Sequence, residues 1–181
     1  MDKDVFVSEL KSLAPSKEDF RNYNVSDSYI KEHVSRYQCE PKANGRVKII
    51  TNDELLSLLQ EYDCSALGIG NLSFVKEIVE RVGYYEIGRV EMDVLVLNKV
   101  TLEIEVRDHD SLEHVIWPCA SKSSYFLDSL LICARFLRSL LNDLSSEPED
   151  AYLLGIVNQC AEKAGGEKYI DFYKMLLGYF G

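Results

Sequence analysis

The chain of 181 residues carries 20 basic and 30 acidic side chains, a formal net charge of -10. That sign works against nucleic acid and anionic membrane surfaces, both of which recruit cations. With 46% hydrophobic and 28% charged residues the composition is that of a globular protein, and a chain of this size buries roughly 70% of its unfolded surface without staples. No apolar run is long enough to span a membrane, and the charged N-terminal stretch does not read as a signal peptide, so a cytoplasmic protein is expected.

A short helix is predicted over Phe6–Leu13, stopped near Pro15. A second runs from a cap at Ser26 or Asp27 to about Tyr37. Asn44 and Gly45 mark a turn, and Arg46–Thr51 reads as a strand. Thr51 or Asn52 caps the next helix, with Asp53 and Glu54 in its first turn, where the helix dipole favours acids. Leu55, Leu58 and Leu59 form its apolar face. Leu67–Asn71 reads as a loop, and Ser73–Val82 as a helix closing at Gly83.

The stretch from Tyr84 to Leu141 organises the rest. Glu91–Leu97 reads as a strand. Leu102–Arg107 alternates strictly, which predicts a strand with Leu102, Ile104 and Val106 buried and Glu103, Glu105 and Arg107 wet. Asn98–Thr101 is short and polar, so the two strands are expected to form an antiparallel hairpin. His114–Trp117 adds a short strand before Pro118. Ser121, Ser123 or Ser124 caps a long helix. Its stripe of Leu127, Leu130, Leu131, Ala134, Leu137 and Leu141 is expected to lie on the hairpin's dry face. Asp143–Asp150 reads as a linker. Ala151–Lys163 and Tyr169–Tyr179 read as helices split by Gly165 and Gly166. The expected architecture is α+β, an antiparallel or mixed sheet with helices mainly on one face. Residues 1–142 form one domain, 143–150 a linker and 151–181 a helical extension packed on the same domain.

Few residues point to chemistry. The five cysteines, Cys39, Cys64, Cys119, Cys133 and Cys160, are odd in number and widely spaced. Disulfide frameworks and zinc sites use closer pairs, so these read as buried or incidental thiols in a reducing compartment. Gly68 and Gly70 precede a predicted helix but lack the third glycine of a dinucleotide loop and the lysine of a P-loop. His109 and His114, among Asp108, Asp110 and Glu113, are five residues apart, a spacing that places them on neither one helix face nor one strand face, and they read as loop histidines. His33 reads as a surface residue. There is no nucleophile elbow, and Glu103 and Glu105 read as a wet strand face before they read as an acid–base pair. No catalytic residue, metal or cofactor is expected.

From about Arg46 to Leu137 the chain resembles the SUKH superfamily, that of the yeast cell-wall synthesis regulator and many bacterial immunity proteins. The likeness lies in the order of its parts. A helix over Asp53–Glu61 leads into the small-residue loop Leu67–Asn71. Glu86, Ile87 and Gly88 precede a strand with Asp93 before Val94–Leu97. A polar turn at Asn98 and Lys99 leads to Glu103–Val106, and Ala120–Ser124 then precedes Tyr125, Phe126 and Leu127. The family often has Thr-Gly at the hairpin turn, whereas here Leu102 follows Thr101. The resemblance implies binding in place of catalysis, as an antidote that neutralises a cognate toxin, often a nuclease, by direct contact. The alternative is a non-enzymatic regulatory or interaction scaffold of the same fold.

The charge distribution suits a basic partner protein. Residues 1–50 hold 9 bases and 8 acids, whereas residues 51–181 hold 11 bases and 22 acids. The expected binding surface comprises Glu91, Asp93, Glu103, Glu105, Asp108 and Asp110, with Trp117 as an aromatic anchor at its edge.

Overall fold

The computed structural model describes residues 1–21, 23, 25–43, 49, 51–141 and 148–181. Its α-helices are α1 (Lys3–Leu13), α2 (Asp27–Ser35), α3 (Glu54–Glu61), α4 (Ser123–Leu140), α5 (Asp150–Ala164) and α6 (Ile170–Leu177). Strands β1 (Glu40–Pro41) and β2 (Tyr62–Asp63) form a small antiparallel pair. The main sheet takes β3 (Gly68–Ile69), β4 (Leu72–Glu80), β5 (Tyr84–Val90), β6 (Asp93–Asn98), β7 (Ile104–Arg107) and β8 (Val115–Ala120) in sequence order. Each described neighbour pair is antiparallel, so the fold is α+β.

Period-two alternation sorts the sheet into rows. Leu97, Ile104 and Ala120 stand side by side, as do Leu95, Val106 and Trp117. These rows face the helices, and α1, α3, α4, α5 and α6 join them in one hydrophobic cluster. Between them run Glu86, Val96, Glu105 and Pro118, then Arg89, Val94, Arg107 and Val115, on the opposite face. Gly88 lies where β4 comes close. A Cβ there would meet the Ser73 carbonyl oxygen at 2.4 Å, so no larger residue fits.

Several sequence expectations change. The segment expected as a helix over Ser73–Val82 is strand β4 as far as Glu80, with Val82 exposed beyond it. Phe74 and Ile78 stand at helical spacing, but the strand's pairing shifts between Phe74 and Val79, which resets its alternation. Tyr84–Val90 is a strand in its own right, joined to β6 through Glu91 and Met92, so the predicted strand start at Glu91 is a turn. Asp53, not Thr51 or Asn52, caps α3 by accepting from the Leu55 and Leu56 amides at 3.0 Å. Lys122 holds the cap position of α4 without a side-chain cap bond. There Ser121 turns away to donate to the Ala164 carbonyl, and Ser123 is buried. Leu137 and Leu141 are only half-buried, unlike the rest of the α4 stripe. Of the predicted turn at Asn44 and Gly45, the strand over Arg46–Thr51 and the linker Asp143–Asp150, most residues lie outside those described.

Leu102 does not belong to the core. It is 56% exposed and holds a φ of 61°, and its amide donates back to the Asn98 carbonyl at 3.0 Å. A branched L-residue in left-handed backbone costs about 1–2 kcal/mol, and glycine would avoid that cost. Leu102→Gly is therefore expected to raise stability in urea unfolding by up to about 1 kcal/mol, after the entropy glycine adds to the unfolded chain. A loss of more than about 0.5 kcal/mol would show that the leucine side chain anchors the turn.

Candidate functional site

Three turns meet at one end of the sheet. Gly70 and Asn71 join β3 to β4, Glu91 and Met92 join β5 to β6, and the loop 108–114 joins β7 to β8. Gly70 holds a φ of 61°, and a Cβ there would meet the Leu176 carbonyl oxygen at 2.7 Å, so this glycine serves packing against α6. Asn71 fastens the second turn, accepting from the Glu91 amide at 3.2 Å and donating to the Glu91 carboxylate at 3.0 Å. Residues 91–93 and 108–114 contain five carboxylates, those of Glu91, Asp93, Asp108, Asp110 and Glu113, and neither Lys nor Arg. Met92 stands among them, 70% exposed.

The long loop is internally braced. Asp108 accepts from the Asp110 amide at 2.8 Å. The Asp108 amide donates to the His114 carbonyl, the His114 amide to the Ser111 carbonyl, and Arg107 Nη1 to the Leu112 carbonyl. His109 ties loop to strand. Its backbone amide and its Nδ1 both donate to Asp93 Oδ1, at 3.1 and 2.9 Å. His109 is a loop histidine, as its sequence position suggests, and the fold adds a partner to it because Asp93 arrives from a neighbouring strand. Ligand atoms of Asp93, Asp108 and His109 lie within 4.8 Å of one another, close enough for a cation, but Asp93 and His109 are hydrogen-bonded to each other.

Of the seven expected binding residues, Glu91, Asp93, Asp108 and Asp110 come together here, and three do not. Glu103 accepts from Lys168 Nζ and from the Tyr169 hydroxyl at the C-terminal turn. Burial works against its charge, but these donors outweigh it and hold its carboxyl below the usual range. Burial and the nearby Glu103 push Tyr169 up to about 12. Glu105 is buried, accepting from Arg107 Nη2 at 2.7 Å, Arg107 Nε at 3.0 Å and Asn98 at 3.2 Å. Strict alternation made Glu105 look wet, although an ion pair on its own strand seals it. Trp117 packs half-buried against the core, because it stands beside Val106 on the helix side. Sequence reasoning missed Met92, whose exposed apolar position inside an acidic run was the available signal, and did not count Glu113 in the surface. His33 is half-buried, with its ring centre 4.0 Å from that of Tyr29.

No family model, no curated protein and no solved structure matches this chain.

Two expectations follow. Arg107 is 12% and Glu105 8% exposed at the side chain, so Arg107→Met leaves a buried carboxylate without its cation and should cost about 3–5 kcal/mol. Adding Glu105→Leu should recover most of that loss in urea unfolding, and a single variant as stable as wild type would mean the pair is solvated. The second concerns pH. The Asp93 hydrogen bond raises the His109 imidazole above its ordinary value, and the same bond holds the Asp93 carboxyl below its own. The histidine's contribution is complete below its ordinary pKa of about 6.5 and fades as pH rises through the raised value. The aspartate's is complete above the ordinary carboxylate range and fades as pH falls through the lowered value. In an NMR titration His109 should titrate above an ordinary histidine, and Asp93→Asn should bring its midpoint down. An unchanged midpoint would exclude the contact in solution.

Proposed function

We propose that the chain is a SUKH-type immunity protein of the cytoplasm, which neutralises a cognate toxin with a basic domain by direct binding and performs no catalysis of its own. The observation that carries this reading is the acidic end of the sheet, where two braced turns carry five carboxylates and the exposed Met92. A cluster of one sign at the surface speeds encounter with a cationic partner. Methionine gives such a surface an apolar contact that adapts to its partner's shape. The order of motifs that resembles the SUKH superfamily supports the same reading. The two turns are held in place before binding by Asn71, His109 and the loop's own amides, which lowers the ordering cost of association.

The natural partner to test is the product of the gene beside this one. Glu91→Gln, Asp108→Asn, Asp110→Asn and Glu113→Gln together remove four charges and leave the Asp93–His109 bond intact. Association of wild type should slow steeply with added salt, and the quadruple variant should associate at least about tenfold more slowly at low salt. Equal rates for the two proteins, or binding without salt dependence, would rule this surface out.

A further inference from the structure

We propose that four of the five cysteines form two dithiol sites, Cys39 with Cys64 and Cys133 with Cys160, each of which closes to an intramolecular disulfide on oxidation while Cys119 stays a thiol. Their wide sequence spacing conceals this. The fold brings Cys133 on α4 and Cys160 on α5 together at the core, with their sulfurs 3.5 Å apart. Ser129 locks the two helices at that level, donating from Oγ to the Cys160 carbonyl at 2.8 Å, while Cys160 Sγ lies 3.8 Å from the Ser129 carbonyl oxygen. The sulfurs need approach by only about 1.5 Å to reach the disulfide bond length of about 2.05 Å.

The other pair follows from strand register. Glu40 stands opposite Asp63 and Pro41 opposite Tyr62, so the next step outward places Cys39 opposite Cys64. The Lys42 amide donates to the Glu61 carbonyl at 2.9 Å, which makes that position a hydrogen-bonded pair. Alternation then assigns Cys39 and Cys64 to the closer, non-hydrogen-bonded type, with Cα atoms about 4.5 Å apart, inside the span a disulfide accepts. Cys119 differs, since its thiol donates to the Trp117 carbonyl at 3.5 Å.

Closure by oxidised glutathione balances without another reactant. One protein thiolate attacks the glutathione disulfide and releases one glutathione thiolate. The second protein thiolate then attacks the mixed disulfide and releases the other, so two protein thiols are oxidised as one small disulfide is reduced to two thiols. Access sets the pace. Cys39 is 8% exposed, whereas Cys64, Cys133 and Cys160 are fully buried. Burial, with the bond to Cys160, keeps the Cys133 thiol protonated, and the neighbouring Cys39, with burial, does the same for Cys64. The thiolate is the attacking form, so the Cys133–Cys160 pair reacts through local opening of its helices.

The test treats the full chain with excess oxidised glutathione, with and without urea below the unfolding transition. Remaining thiols are then alkylated in denaturant and linked peptides are mapped by mass spectrometry. Five cysteines less two pairs predicts one alkylated thiol, at Cys119, with linked peptides 39–64 and 133–160. Urea should speed closure of Cys133–Cys160. Each bridge should raise the melting temperature by roughly 5–10 °C, reversed by dithiothreitol. Cys133→Ser should leave Cys119 and Cys160 alkylated, and if that variant does not fold, the wild-type map alone decides. Five alkylated thiols, a bridge that includes Cys119, or chain-to-chain linkage would overturn the proposal. Closure of one pair alone would overturn it for the pair that stays reduced.

Discussion

The register of β6 against β7 is the constraint on which the other features depend. Side chains alternate along a strand, so a slip of one residue would turn Ile104 and Val106 outward and carry Glu105 and Arg107 into the core. Asn98 sets that register. Its side chain accepts from the Val100 and Thr101 amides, its carbonyl accepts from the Leu102 amide, and its own amide donates to the Glu103 carbonyl. The chain returns through the left-handed conformation of Leu102. The turn carries this backbone strain while the β6–β7 pairing stays in register from Val94 to Leu97.

That register also decides which charges are neutralised within the chain. On the face away from the helices, Val96 lies between Glu86 and Glu105 and is fully buried. Glu86 pairs with Arg81 at 2.7 Å, and Glu105 with Arg107, whose guanidinium lies 4.9 Å from the centre of the Tyr84 ring. Like charges aligned on a sheet repel, but here each glutamate has a cation within the chain. The middle of the face is therefore close to neutral, and the excess of carboxylates is left at the turn end, where residues 91–93 and 108–114 have no Lys or Arg.

The C-terminal helices complete the core. Val157, Cys160, Ala164, Phe172 and Tyr173 are fully buried. Polar ties fasten the same segment to the end of the sheet. The Ser121 amide donates to the Ala164 carbonyl at 2.9 Å, the Tyr173 hydroxyl to the Cys119 carbonyl at 3.0 Å, and Glu103 takes Lys168 and Tyr169. A glutamate that alternation assigns to solvent thus serves as a tether, because its partners lie more than 60 residues away in the chain.

Local pattern was enough for the sequence to determine the α+β class, the hairpin turn at Asn98, the α4 stripe through Leu130 and Ala134, and the acidic character of the region after Gly83. Each of these depends on neighbours within a few residues, through alternation, capping or helical spacing. The bulge in β4 defeated the same reasoning, since an irregular strand can carry the period of a helix. Which carboxylates stay free was decided only by tertiary structure. Asp93 and His109 are 16 residues apart, and Glu103 and Lys168 are 65 apart. The cysteines make the same point, because Cys133 and Cys160 become neighbours only when α4 packs against α5. Spacing along the chain reports local geometry, whereas ion pairing and sulfur contact depend on distances that only the folded chain defines.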